Sequence, residues 1–180
     1  MTYAELFNQV LAEFINLPIS GDLPRQLCEL SLNIVLIRTQ VQTKTAILTV
    51  PSAFNALPLV AFDAQFPDFL LPIAFRLTNL EQLDRSSINN VMRDPNTWNE
   101  FVTTPSEYYL ISTNMVGFNK TPFNGLAVLC TYVPYIEVLS MAAEFHLDDA
   151  HVDTFMNVLR YFMRIRRSDF ESAKALIEVI

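Results

Sequence analysis

Glycine is scarce in this chain, with three in 180 residues. That leaves little backbone for cradling phosphate, and no phosphate loop, nucleophile elbow or zinc signature is present. Cysteine is almost as rare. Cys28 and Cys130 lack the CxxC or Cys/His spacing of a metal site, and both are expected to be buried thiols of a reducing compartment. Charged residues make up 17% of the chain, against about 25% in ordinary soluble domains. This leaves apolar surface with no use in an isolated monomer, so a partner or a homo-oligomer is expected. The net charge of −7 argues against a protein that grips DNA by neutralising phosphates. No apolar run approaches the ~18–20 residues of a membrane span. The first residues, MTYAELFNQVLAEF, carry an early glutamate and no basic region, so neither membrane insertion nor a secretion signal is expected.

What is present reads as helices at both ends and strands between them. Thr2 and Glu5 form a capping box, each side chain satisfying a free amide of the first turn. The helix that follows carries Tyr3, Leu6, Phe7, Val10, Leu11, Phe14 and Ile15 at helical spacing and is expected to end at Leu17-Pro18. Asp22 and Pro24 open a second helix, to about Gln40. It has Leu27, Leu30, Ile34 and Ile37 on one face, and Cys28, Leu32, Val35 and Leu36 on others. A helix apolar nearly all round is expected between layers or against a neighbouring subunit.

From Thr43 the β-branched run TKTAILTV signals a strand stopped by Pro51; short strands are also expected at Leu59–Phe62 and Ile73–Thr78. Strands this short with proline-rich joints favour a small antiparallel or mixed sheet. Asn79 is expected to cap a polar helix, LEQLDRSSINNVMR, that ends before Pro95, and Trp98 to anchor a loop. Pro105 to Tyr135 reads as a meander of three strands, Tyr108–Thr113, Met115–Phe118 and Leu126–Val133. Apolar residues on both sides of the last strand predict that both its faces are covered. Ile136–His146 is ambiguous between loop and short helix. Asp148 or Asp149 should cap a helix with an apolar stripe of Val152, Phe155, Val158, Leu159, Phe162 and Met163, and Ser168 with Glu171 opens a last helix.

Three constellations could carry chemistry. His146, Asp148, Asp149 and His151 join both histidines to carboxylates and could hold a divalent metal, but their spacing suits a helix cap and solvent face better. Arg160, Arg164, Arg166 and Arg167 could meet phosphate. Arginines at a helix C-terminus also complement the dipole, and the acidic whole favours a protein contact or a solvated face. Tyr108, Tyr109, Phe118 and Phe123 could stack on bases, yet only Lys120 interleaves with them, so sheet core is the better reading. An enzyme is not expected.

The order of parts resembles the head-to-tail connector, or adaptor, proteins of tailed bacteriophages. The residues that carry the resemblance are Phe66-Pro67-Asp68-Phe69-Leu70, Leu80-Glu81-Gln82-Leu83-Asp84, Trp98, Pro105-Ser106-Glu107-Tyr108-Tyr109, Thr121-Pro122, Leu129-Cys130-Thr131-Tyr132, Asp148-Asp149-Ala150-His151, Leu159-Arg160-Tyr161 and Ala173. With two N-terminal helices before them and a final helix after, the resemblance covers most of the chain, from about Tyr3 to Val179, as a pattern without any single specific motif. The chain departs from the pattern in lacking the usual glycines before the hairpin and in the hydrophobic stretch Ile136–Leu147.

The expected fold is therefore a single α+β domain, residues 1–180. An N-terminal helix pair (about 2–41) and a C-terminal helix pair (about 148–179) form a helical bundle, with a small antiparallel β-sheet or hairpin region (about 43–135) inserted. The resemblance implies a structural virion protein of the neck, assembled in the host cytoplasm. It would form a ring, typically dodecameric, that docks beneath the portal protein and extends the DNA channel toward a tail or nozzle protein, with DNA passing without specific binding. No cofactor, metal or membrane partner is implied. The residues expected at its interfaces are Arg160, Arg164, Arg167, Phe170, Leu176, Ile177 and Ile180, taken to engage the portal, and Phe118 and Phe123 in the meander. Another neck or tail-completion ring, a stopper or tail terminator, is the alternative; a small metal-dependent hydrolase using His146–His151 is a more distant one.

Overall fold

The computed structural model describes residues 1–14, 17–51, 59–62, 64–93, 104–112, 114–120 and 125–169. The chain divides into two units, one built from Met1–Val41 with Ile136–Ile180 and the other from Gln42–Tyr135.

In the first unit, α1 (Tyr3–Leu11) opens on the expected capping box, Glu5 N donating to Thr2 Oγ1 at 3.2 Å and Thr2 N to Glu5 Oε2 at 2.7 Å. It ends six residues earlier than the periodicity suggests. Glu13 N and Phe14 N bond to Val10 O and Leu11 O, a tightened i to i−3 turn that still buries Phe14. α2 (Leu23–Thr39) follows, with Pro24 in its first turn and a left-handed Gln40 (φ 51°) as its C-cap. The segment after Tyr135 is irregular rather than helical, and a 3-10 turn at Asp149–His151 leads into α4 (Val152–Arg166). Neither Asp148 nor His151 caps with its side chain. α4 packs on both α1 and α2. Tyr3, Leu6, Phe7 and Val10, then Cys28, Leu32, Val35 and Leu36, then Phe155, Val158, Leu159 and Met163 are the residues these helices bury.

The second unit is a two-sheet sandwich. One sheet has the order β1 (Lys44–Val50), β7 (Leu126–Pro134), β3 (Phe69–Leu77), all antiparallel. The other has the order β2 (Leu59–Ala61), β6 (Met115–Phe118), β5 (Glu107–Ser112), β4 (Asp84–Arg85), and its β4–β5 pair is parallel. Leu48, Val50, Phe75, Leu77, Val128, Cys130 and Tyr132 from the first sheet share one core with Val60, Tyr108, Val116 and Phe118 from the second. Phe75 is central to it, its ring 4.6 Å from Tyr108 and 5.9 Å, edge-on, from Phe118.

These features correct the expected fold. The described residues do not show a bundle made of two helical pairs: the described helices of the first unit are α1, α2 and α4, and the last predicted helix lies outside the described residues. The β region is two packed sheets rather than a small inserted hairpin region. The meander is split, because β5 and β6 pair with each other while β7 crosses to the other sheet to lie between β1 and β3. The second face of β7 is open at Ala127, half-open at Leu129 and Thr131 and buried at Val133, so that face is covered at one end only.

The helix expected over residues 80–93 shrinks to α3 (Ile88–Arg93). Asn79 Oδ1 accepts from Glu81 N at 3.1 Å, an Asx turn, and Leu80 takes φ 71°. Residues 81–83 then add to the edge of β3 through Leu77 N to Glu81 O (2.8 Å) and Leu83 N to Phe75 O (3.0 Å). This puts Leu83 into the sandwich core, where its burial outweighs helix propensity.

Candidate interaction surfaces

α2 presents two distinct faces. Arg25, Glu29 and Asn33 stand one turn apart on one stripe. Asn33 Nδ2 donates to Ile136 O and its Oδ1 accepts from Ile136 N, each at 2.9 Å. Glu29 Oε2 accepts from Val138 N at 3.1 Å, and Arg25 Nη1 donates to Val138 O at 3.1 Å. Three side chains of one helix thus bind the main chain of this irregular segment as a neighbouring strand would. On another stripe Leu23, Leu27, Leu30, Ile34 and Ile37 repeat at alternating spacings of four and three, the pattern of a helix seam that meets another helix. Leu30 is 47% exposed and the other four are half-buried. This is the face that sequence periodicity places opposite Cys28, Leu32, Val35 and Leu36, and it is the less buried of the two.

The arginine group of α4 separates by role. Arg160 is spent within the fold: its Nε lies 3.0 Å from both carboxylate oxygens of Glu13, its Nη2 2.8 Å from Glu13 Oε1, and its Nη1 2.9 Å from Asn157 Oδ1. The guanidinium holds the Glu13 carboxyl below its ordinary range, with Arg164 contributing field. Arg164 is half-buried, whereas Arg166 and Arg167 are exposed at the helix end. That end closes as a Schellman turn, Ser168 N to Ile165 O and Asp169 N to Arg164 O, both 2.9 Å, with Ser168 at φ 65°. Ser168 therefore stops α4, and the helix it was expected to open lies outside the described residues.

Phe118 is fully buried against Phe75, so its ring is core rather than a contact surface. Phe123, Phe170, Leu176, Ile177 and Ile180 lie outside the described residues. His146 and His151 do not converge on a common centre with carboxylates: Nδ1 of His146 lies 2.7 Å from the Tyr3 hydroxyl, His151 stands at the start of α4, and among the described residues no group of three His, Cys, Asp or Glu side chains is placed to hold a metal. Burial pushes the Tyr3 hydroxyl up to about 12, and does the same to the thiols of Cys28 and Cys130, which are buried in separate units.

Lys44, Asp68 and Tyr132 form a polar group at one end of the three-stranded sheet. Asp68 Oδ1 accepts from the Tyr132 hydroxyl at 3.0 Å and Oδ2 pairs with Lys44 Nζ. Burial raises the Asp68 carboxyl, and the bonds from Lys44 and Tyr132 more than offset this, leaving it below its ordinary range. The Pro-Asp-Phe step is thereby a structural joint, with Phe66 and Phe69 against the Tyr132 ring.

The α2 seam and its clamp on Ile136 and Val138 were the parts sequence reasoning missed as sites, although Arg25, Glu29 and Asn33 at four-residue spacing were a readable signal. No protein-family model matches this chain, and no curated protein matches it.

Proposed function

We propose that this protein is a structural head-to-tail adaptor of a tailed bacteriophage, a ring subunit that docks beneath the portal and continues its DNA channel toward the tail. The reading draws its identity from the order of sequence patterns between Tyr3 and Val179. The structural observation that supports a ring is the α2 seam, five apolar residues at helix-pairing spacing with Leu30 47% exposed. A neighbouring subunit would cover it, removing apolar surface from water at roughly 25 cal/mol per Å². The thin, net acidic charge suits a channel wall past which DNA slides without sticking. Arg166 and Arg167 are exposed at the end of α4, where guanidinium groups would pair with carboxylates of the portal; with Arg160 committed to Glu13, Arg167 is the exposed candidate for that contact.

One observation favours a second reading. Seven strands in two sheets among the described residues make the chain richer in strand than a helical adaptor needs, which suits a stopper or tail terminator. Mixing the purified protein with the portal ring of the same phage, followed by negative-stain imaging, separates the two. An adaptor forms a second ring stacked on the portal, while a terminator leaves the portal bare and is found on the distal tail.

A further inference from the structure

Among the described residues the sandwich has four outer strands, and three of them are blunted. β3 carries Pro72, which has no N–H to offer, and two register shifts; the far half of its edge is taken by residues 81–83. β2 is three residues long, and β4 is two exposed charged residues. β1 differs in length and regularity. It has seven residues, no proline and unbroken register with β7.

Its edge groups are identified by one contact. The side-chain amide of Gln65 pairs with the main chain of Thr49, accepting from Thr49 N at 2.8 Å and donating to Thr49 O at 2.9 Å. Thr49 therefore turns its backbone away from β7, and by the two-residue period of a strand Thr45 and Ile47 do the same. Both are exposed, Ile47 by 59%. Held by the Gln65 side chain at Thr49 and exposed at Thr45 and Ile47, this regular, β-branched edge is a template for another strand.

We propose that β1 is the docking edge for a second copy of this chain, two copies joining antiparallel through Thr45–Thr49. The occupant follows from the sequence of the edge. Thr45-Ala46-Ile47-Leu48-Thr49 is symmetric in residue class about Ile47, so a two-fold axis there sets Ile47 against its own copy and Thr45 against Thr49 of the other chain. Threonine already pairs this way within the sheet, Thr45 Oγ1 lying 3.1 Å from Thr131 Oγ1. The only charge on β1, Lys44, is engaged by Asp68, so the two edges meet without a like-charge contact despite the acidic whole. On pairing, Thr49 exchanges the exposed Gln65 amide for the backbone of Thr45 in the second copy. The proposal does not rest on the adaptor reading.

A charge swap at the self-opposed position tests it, by sedimentation equilibrium of the full chain over a concentration series without portal. Wild type is expected to pass from 20.6 kDa to twice that mass. Ile47→Lys and Ile47→Glu, each checked for native fold by circular dichroism, are each expected to lose the dimer, and an equal mixture to regain it as a heterodimer. Wild type that stays at 20.6 kDa up to its solubility limit, variants that dimerise like wild type, or a mixture that remains monomeric would each overturn the proposal.

Discussion

The side-chain amide of Asn33 and the main chain of Ile136 exchange two hydrogen bonds of 2.9 Å, so a helix residue stands where a β-strand partner would. The same amide also donates to Glu29 O at 2.8 Å, and Asn33 is only 4% exposed. Asn33→Ala would leave both Ile136 groups without a partner in a site with little access to water. We expect a loss of about 2–4 kcal/mol, the sum of two orphaned groups at ~1–2 each, read as a lower urea midpoint. Asn33→Asp should fall in between, since a carboxylate still accepts from Ile136 N but cannot donate to its oxygen.

Arg160 ties α4 to the end of α1 through Glu13. Because the folded Glu13 carboxyl titrates below its ordinary value, the contribution is complete above the unfolded value and is lost as pH falls through the folded one. Both side chains are partly exposed, so a double-mutant cycle with Glu13→Gln and Arg160→Gln should give about 0.5–1 kcal/mol of coupling at neutral pH. The coupling should shrink under acid conditions, when Glu13 is protonated, and with added salt. A coupling that grew on acidification would contradict this assignment.

Tyr109 faces Gly117 across β5 and β6. A Cβ built on Gly117 would lie 2.3–2.5 Å from atoms of the Tyr109 ring, and that ring is fully buried. Gly117→Ala should therefore destabilise by about 2–3 kcal/mol through overpacking. Among the described residues the buried Tyr109 hydroxyl has no hydrogen-bond partner. Tyr109→Phe should be neutral or stabilising by up to about 1 kcal/mol, and thermal unfolding of the two variants checks both signs.

Ser168 occupies the left-handed position that glycine fills at no steric cost. Ser168→Gly should raise stability by about 0.5–1 kcal/mol, less the backbone entropy that glycine adds to the unfolded chain. Ser168→Val should lower it, because a β-branched side chain is the worst fit to φ 65°.

What could be read from the sequence was local. The Thr2–Glu5 box, the apolar stripe of α4 and the strand at Lys44–Val50 all follow from short-range pattern, and the structure has each of them. What could not be read was set by partners far along the chain. Leu80–Arg93 has helical propensity, yet Asn79 starts an Asx turn and Leu83 enters the core, so half of that stretch becomes sheet edge. Leu126–Val133 follows β6 in sequence and looks like its hairpin partner. The strand instead joins β1 and β3, a choice fixed by Val128, Cys130 and Tyr132 packing with Leu48 and Phe75. Of the candidate contact residues, Phe118 reads as sheet core from its neighbours and is core; only the resemblance placed it at an interface, and its burial leaves no ring surface for that contact. The arginines were legible as a cluster, but the commitment of Arg160 to Glu13 spans 147 positions and carries no local signal.

The ring claim is tested most directly at Leu30, the exposed centre of the α2 seam. Wild type and Leu30→Glu would each be mixed with the portal ring and weighed by native mass spectrometry. The account predicts a stoichiometric second ring for wild type, and for Leu30→Glu a folded subunit that stays off the ring. A wild type that never associates with the portal, or a Leu30→Glu ring as complete as that of wild type, would contradict it.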